Sequence, residues 1–271
     1  MANEFDLNRY LARIGHRGPV APDWPTLAAL QAAHVDAIAF EGLDPLLGRP
    51  VRIDLASVQA KIVNGRRGGY CFEQNALFKA ALEAIGFQVT GLSARVRWRA
   101  EPGSPLTPRT HMMLRVDLPE GPHLADVGFG SCLLDTPLKL VPDIEQPTAM
   151  GTYRLTYSDG LFWLSTKLPT GWRTMYAFDQ HPQLHADYVL GNWYSSTSPD
   201  APFTSMLIME RLTGDARTKL VNRRLVTEAR GGEIVAAREI ATADELRQAI
   251  DETFGVTLPV SADEVFGRIG G

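Results

Sequence analysis

Residues 67–98 read RGGYCFEQNALFKAALEAIGFQVTGLSARVRW, and the texture of the chain changes inside this stretch. Phe72, Leu77, Phe78, Ala81, Leu82 and Ile85 recur at helical spacing and Gly86 supplies a stop, which predicts a helix over 71–85. From Gln88 onward short β-branched or aromatic runs alternate with turn signals: QVTGLSARVRW, HMMLRVDL, HLADVGFG, TYRLTY and LFWLST. Residues 88 to about 180 therefore read as an antiparallel sheet or small barrel, with hairpins marked by PEGP and by Ser158-Asp159-Gly160. Upstream the pattern is helical: Leu7, Tyr10, Leu11 and Ile14 run to a stop at Gly15, and a second helix is expected near Thr26, after Pro19, Pro22 and Pro25. Downstream, MLIMERL and GEIVAAREI read as strands. Capping boxes at Thr242–Glu245 and Ser261–Glu264 open two helices, and the Pro/Ser/Thr-rich run 195–204 reads as a linker.

The chain has 271 residues, 45% hydrophobic and 21% charged, with a net charge of -4, which excludes disordered, collagen-like and coiled-coil classes. Its basic residues are scattered rather than gathered in a stripe, so no nucleic-acid partner is expected. The apolar region 28–40 is interrupted by Gln31, His34 and Asp36, well short of the ~18 apolar residues of a membrane span. No secretion signal is read in MANEFDLNRY, and two cysteines make no disulfide framework, so the expected compartment is the reducing cytoplasm.

Cys71 falls in the first turn of the expected helix, where free N–H groups and the macrodipole favour a thiolate and can hold an oxyanion. Gly68 and Gly69 let the preceding loop turn tightly and a substrate come close to the backbone. On spacing alone Cys71 reads equally as a small buried hydrophobe. His111, at the opening of a strand, and Asp126, in the next strand of the same hairpin, supply a base and its orienting carboxylate. With the turn centred between Glu120 and Gly121, Asp126 faces Arg115. It then shares a face with His111 but lies four residues, about 13 Å, along the strand, so a bulge or asymmetric turn has to bring the two together.

Other residues read more plainly. His181 and His185 are four apart but lack a third ligand, so no metal site is expected. Cys132, Trp163, Trp172 and Trp193 read as packing residues, His123 as a solvated turn residue, and His16 and His34 as packing or surface groups. Lys219, Arg223 and Arg224 read as a solvated basic face rather than a phosphate site. No nucleotide fingerprint is present.

At RGGYCFEQN, at THMML around His111 and at DVGFG around Asp126 the sequence resembles the arylamine N-acetyltransferase family. The likeness extends to LNRYLARIG, AFEGLD, DYVLGNWYSSTSP and ELRQAIDETFGVTLP. The resemblance implies an α+β protein with a papain-like cysteine catalytic core: a helical domain over 1–87, an antiparallel β-barrel over 88–199 and an α/β lid over 200–271. It implies acetyl-coenzyme A as donor, an arylamine or arylhydrazine as acceptor, and ping-pong transfer through Cys71, with His111 as base and Asp126 as orienting acid. Coenzyme contacts are implied at Thr110, Gly128, Phe129 and Gly130, substrate contacts at Phe40, Phe129 and Phe203, and a supporting ion pair between Arg67 and Glu41. Gly42 stands where the family usually has Asn, and Ala39 where it often has Pro. A cysteine hydrolase using the same three residues and a non-catalytic binding module remain alternatives, and association into a homo-oligomer stays open.

Overall fold

Asp6 and Asp23 open the first two helices because each carboxylate accepts a hydrogen bond from a first-turn amide, that of Arg9 at 3.0 Å and of Thr26 at 2.9 Å. The helices are α1 (Leu7–Arg13) and α2 (Trp24–Ala37), the latter carrying Pro25 where a missing N–H is harmless. The computed structural model describes residues 5–101 and 103–269; residues 1–4, part of the stretch read for a targeting signal, lie outside them. A two-residue strand, β1 (Phe40–Glu41), precedes two short helices, α3 (Leu43–Leu46) and α4 (Leu55–Val58). Next comes α5 (Cys71–Ile85), with the predicted bounds, ended by Gly86 in the left-handed region at φ 106°. Leu27, Leu30, Ile62, Phe72, Phe78 and Leu82 pack these helices around one core.

Eight strands follow: β2 (Gln88–Val96), β3 (Arg109–Leu118), β4 (Gly121–Ala125), β5 (Leu138–Lys139), β6 (Glu145–Pro147), β7 (Thr152–Ser158), β8 (Leu161–Leu168) and β9 (Gly171–Phe178). They form one antiparallel sheet in the order β5-β4-β3-β2-β9-β8-β7-β6, coiled into a nearly closed barrel. Leu92, Met113, Leu124, Tyr153, Leu164 and Tyr176, from strands across the whole order, share one interior. The Asp159-Gly160 turn joins β7 and β8 as a two-residue hairpin with both residues at positive φ.

The turn between β3 and β4 lies one residue earlier than expected. Leu118 pairs with Gly121, so Leu114 faces Ala125, and Asp126 sits just beyond the end of β4 rather than within it. His123 is not solvated: it is 1% exposed, because Trp24 of α2 covers its ring at 4.9 Å.

The expected linker is ordered. Helix α6 (His185–Thr197) runs into it and a 3₁₀ turn covers Pro202–Thr204, while Ser196 Oγ donates to the Asn192 carbonyl at 2.8 Å and Ser195 is buried. Trp193 on this helix does not pack; it is 64% exposed. The remaining strands, β10 (Ile208–Thr213), β11 (Ala216–Val221), β12 (Arg224–Glu228) and β13 (Ile234–Glu239), form a second sheet whose other edge is β1, so Phe40 lies beside Glu210. The two capping boxes open α7 (Ala243–Gln248) and α8 (Ala262–Arg268), with Thr242 and Ser261 accepting from Glu245 and Glu264 amides. Among the described residues no helix is long and apolar enough to cross a membrane.

Candidate active site

Cys71 is the first residue of α5, and the amides of Cys71 and Phe72 precede the first intrahelical bond, so the helix itself leaves them unpaired. The Glu73 carboxylate reaches back to the Tyr70 amide at 3.1 Å and fixes the entry of the chain. Gly68 passes so close to the Ala39 carbonyl that a Cβ would come within 2.1 Å of it, which is why the approach to the nucleophile is bare backbone. A Cβ on Gly128 would meet the Cys71 Cα at 2.7 Å, so the loop after β4 lies directly on the start of α5.

His111 enters from β3. Ala94 pairs with His111 and Arg95 with Arg109, which leaves Thr110 as a bulge whose carbonyl lies 3.6 Å from Cys71 Sγ. The one-residue shift of the β3–β4 turn brings Asp126 two residues closer to His111 than the sequence register placed it, and His111 Nε2 meets Asp126 Oδ2 at 2.7 Å. Each remaining acceptor position of Asp126 has a donor: Asn75 Nδ2 and the Gly128 amide reach Oδ1, and the Tyr176 hydroxyl reaches Oδ2, all at 2.9 Å. Burial opposes the His111 imidazolium, but the Asp126 charge and hydrogen bond and the Cys71 sulfur outweigh it and push the ring up to about 10. Burial likewise opposes the Asp126 carboxylate, and His111, Asn75 and the Gly128 amide hold it below the usual range.

Behind the helix start lies a knot of five charges. Arg67 meets Glu41 at 2.7 Å, and Lys61 meets both Asp44 and Glu73 at 2.7 Å. Glu41 also accepts from the Leu43 amide at 2.8 Å. Gly42 donates its amide to the Ile208 carbonyl, and its bare Cα leaves room for the Phe203 ring, which a Cβ would meet at 3.0 Å.

Cys71 and His111 open onto a cavity of about 460 Å³ whose wall also includes Thr110, Gly128, Phe129 and Gly130 on one side and Phe40 and Phe203 on the other. Asp126, Arg67 and Glu41 are not in the wall; Asp126 stands behind His111 and the ion pair behind the helix start. Lys219 departs from the expected solvated face, because it lines this cavity and pairs with Glu228 at 2.8 Å. Tyr176 and Lys61 escaped the sequence reading. Each acts through a partner distant in the chain, so no local motif marks them; Asn75 lay inside the RGGYCFEQN motif without a role assigned to it. Among the described residues no group of three or more His, Cys, Asp or Glu could hold a metal, and His181 lies ahead of the helix that His185 begins.

A family model described as N-acetyltransferase matches residues 23–263. An arylamine N-acetyltransferase of Mycolicibacterium smegmatis is 39% identical over 94% of this chain and 93% of its own length. One of Escherichia coli (strain K12) is 39% identical over 92% of this chain and 88% of its own. The solved structure of Mycobacterium marinum arylamine N-acetyltransferase in complex with CoA superposes with a TM-score of 0.93 at 34% identity, covering 97% of this chain and 98% of that one.

Proposed function

The chain belongs to the arylamine N-acetyltransferase family, a family of acyltransferases, and from that premise we propose that it carries an acetyl group from acetyl-coenzyme A to an arylamine or arylhydrazine in two half-reactions through Cys71. The observation that carries this reading is the 2.7 Å contact of His111 with Asp126 behind a cavity that Cys71 also lines.

In the first half-reaction the Cys71 proton passes to His111 Nδ1, the ring nitrogen turned away from Asp126, and the thiolate adds to the thioester carbonyl. The amides at the start of α5 hold the oxyanion. Collapse breaks the bond from carbon to the coenzyme sulfur, which leaves with the proton from His111, and acetyl-Cys71 remains. In the second half-reaction the amine nitrogen attacks the acetyl carbon, His111 takes its proton, and the bond to Cys71 sulfur breaks. Asp126 fixes the ring tautomer and stabilises the imidazolium that forms in each half-reaction.

Thr110, Gly128, Phe129 and Gly130 are assigned to the donor, and Phe40, Phe129 and Phe203 to the aromatic acceptor. The Arg67–Glu41 pair supports the loop before Cys71. The division into 1–87, 88–199 and 200–271 is supported by the two sheets, although β1 joins the second sheet from the first segment. Both cysteines are free, and free thiols are the ordinary state in a reducing compartment, which supports a cytoplasmic location.

Acetyl-coenzyme A alone is expected to add one acetyl group to the Cys71 peptide and release one equivalent of free coenzyme before any amine is added. Brief iodoacetamide treatment should label Cys71 and spare Cys132. Continued coenzyme release without amine would instead establish hydrolysis, and the absence of acetyl on Cys71 under quench would overturn the covalent route.

A further inference from the structure

The loop that follows β4 closes one side of the cavity, and its two stems are gripped by different parts of the molecule. On the first stem the Asn75 side chain of α5 accepts from the Val127 amide at 3.1 Å, and the Asp126 carboxylate accepts from the Gly128 amide at 2.9 Å. At the tip the Phe129 carbonyl accepts from the Ser131 and Cys132 amides at 2.8 and 3.0 Å, a tight turn with the Phe129 ring in the cavity wall. On the second stem both backbone groups of Leu133 are held by one ion pair of the C-terminal sheet. Glu210 of β10 accepts from the Leu133 amide at 2.8 Å, and Arg217 of β11 donates to the Leu133 carbonyl at 2.9 Å.

Both side chains are buried, with the guanidinium 3.0 Å from the carboxylate, and Arg217 also donates to the Tyr153 hydroxyl at 3.3 Å. Two charges are costly to bury, and apolar side chains of similar volume would join this sheet to the barrel at least as well. Apolar side chains cannot hold one amide and one carbonyl of a neighbouring loop at fixed points; a carboxylate and a guanidinium can. The same strands carry the opposite wall: Glu210 is paired in the sheet with Phe40 of β1, and Met209 and Lys219 line the cavity. Gly130, at the loop tip, lies so near the Phe40 ring that a Cβ would come within 2.1 Å of it. The ion pair thus ties the stem of the Phe129 loop to the strand that places Phe40.

We propose that Glu210 and Arg217 are positioning residues that set the width of the aromatic acceptor pocket, and with it the size of arylamine admitted, by fixing the Phe129 loop against Phe40. The inference rests on the acetyl-transfer reading above and adds to it a determinant of specificity that lies behind the cavity wall.

The test is the ratio of kcat/KM for 2-aminonaphthalene to that for aniline, with acetyl-coenzyme A as donor, because a ratio does not depend on how much of the protein is folded. The Glu210→Met, Arg217→Met double variant removes both charges together and leaves Lys219 paired with Glu228, so the fold is expected to survive. Its ratio should rise about fivefold or more, through the KM of the amines. Arg217→Lys keeps the charge but lacks the planar fork, and should move the ratio the same way by less; if the double variant does not fold, this variant carries the same decision. Glu210→Gln still offers an oxygen to the Leu133 amide and should keep the wild-type ratio. The pH profile of Cys71 alkylation by iodoacetamide, set by His111 and Asp126, should match wild type in every variant. A double-variant ratio within about twofold of wild type, a shift toward aniline, an equal shift in Glu210→Gln, or an altered alkylation profile overturns the proposal. A wild-type chain that acetylates neither amine overturns the acetyl-transfer reading instead, and hydrogen exchange over residues 128–134, faster in the double variant if Leu133 is clamped, then decides the clamp by itself.

Discussion

Two buried histidines lie beside α5, His34 of α2 through Gln74 and His111 of β3 near Cys71, and they are held in opposite states. His34 is 0% exposed and His111 2%. Burial drives His34 down to about 4, since its partners are neutral: its Nδ1 contacts the Tyr10 hydroxyl at 2.9 Å and its Nε2 contacts Gln74 Oε1 at 2.6 Å. The same burial is overcome at His111 because its partner is a carboxylate. Depth therefore does not decide whether an imidazole can carry a proton; the charge of the group beside it does. The helical wall is not short of charge, but Lys61 and Arg67 are paired with Glu41, Asp44 and Glu73, and Gln74 passes only neutral hydrogen bonds on to the Ala39 and Gly69 carbonyls.

The contrast breaks most sharply at Asp126. Asp126→Asn gives His111 a neutral partner like that of His34, and activity should fall by roughly 10⁴, the loss that the same change causes in a serine-protease triad. A folded variant retaining a tenth of wild-type turnover would show that the carboxylate is dispensable. Next in size is the charge knot. Lys61→Met leaves Glu73 and Asp44 buried without their shared cation, and urea unfolding should record a loss of about 3–5 kcal/mol. A loss below about 1 kcal/mol would mean that Arg67 alone balances the cluster. The smallest effect tests His34 by pH. Between about 6.5 and about 4 the unfolded chain takes a proton that folded His34 refuses, so stability falls as the solution is acidified through that window. The slope contributed is about 1.4 kcal/mol per pH unit. It should appear as the difference between wild type and His34→Gln in urea midpoints at pH 6.5 and 4.5, and identical slopes would place the titration elsewhere.

Much of this arrangement was legible in the sequence because its causes are local. The stripe of α5 and the glycine after it set that helix, and Asp159-Gly160 set a hairpin. The resemblance motifs pointed to Cys71, His111 and Asp126, which the fold brings together. The misses have tertiary causes. The β3–β4 turn was misplaced by one residue, since PEGP permits more than one centre, and Asp126 fell outside the strand that the pattern gave it. β11 and β12 were not read as strands, because ARTKLV and RLVTE mix long polar residues with few apolar ones and are half-buried only through their neighbours in the sheet. His123 is buried by a tryptophan from a helix far away in sequence. Ser195 and Ser196 look like linker residues until the helix that holds them is seen to pack against the cavity wall.

The order of strands in the barrel has a consequence for the chain as it is made. β2 finds one neighbour in β3 soon after both emerge, but its other neighbour is β9, with Ala94 beside Phe178, and β9 carries Tyr176, the hydroxyl that completes the ring of donors around Asp126. Closing so long a loop is slow compared with forming α5. A growing polypeptide therefore displays Cys71 on α5 well before β9 brings the Tyr176 hydroxyl to Asp126, and the ring of donors around that carboxylate is completed only by the last barrel strand.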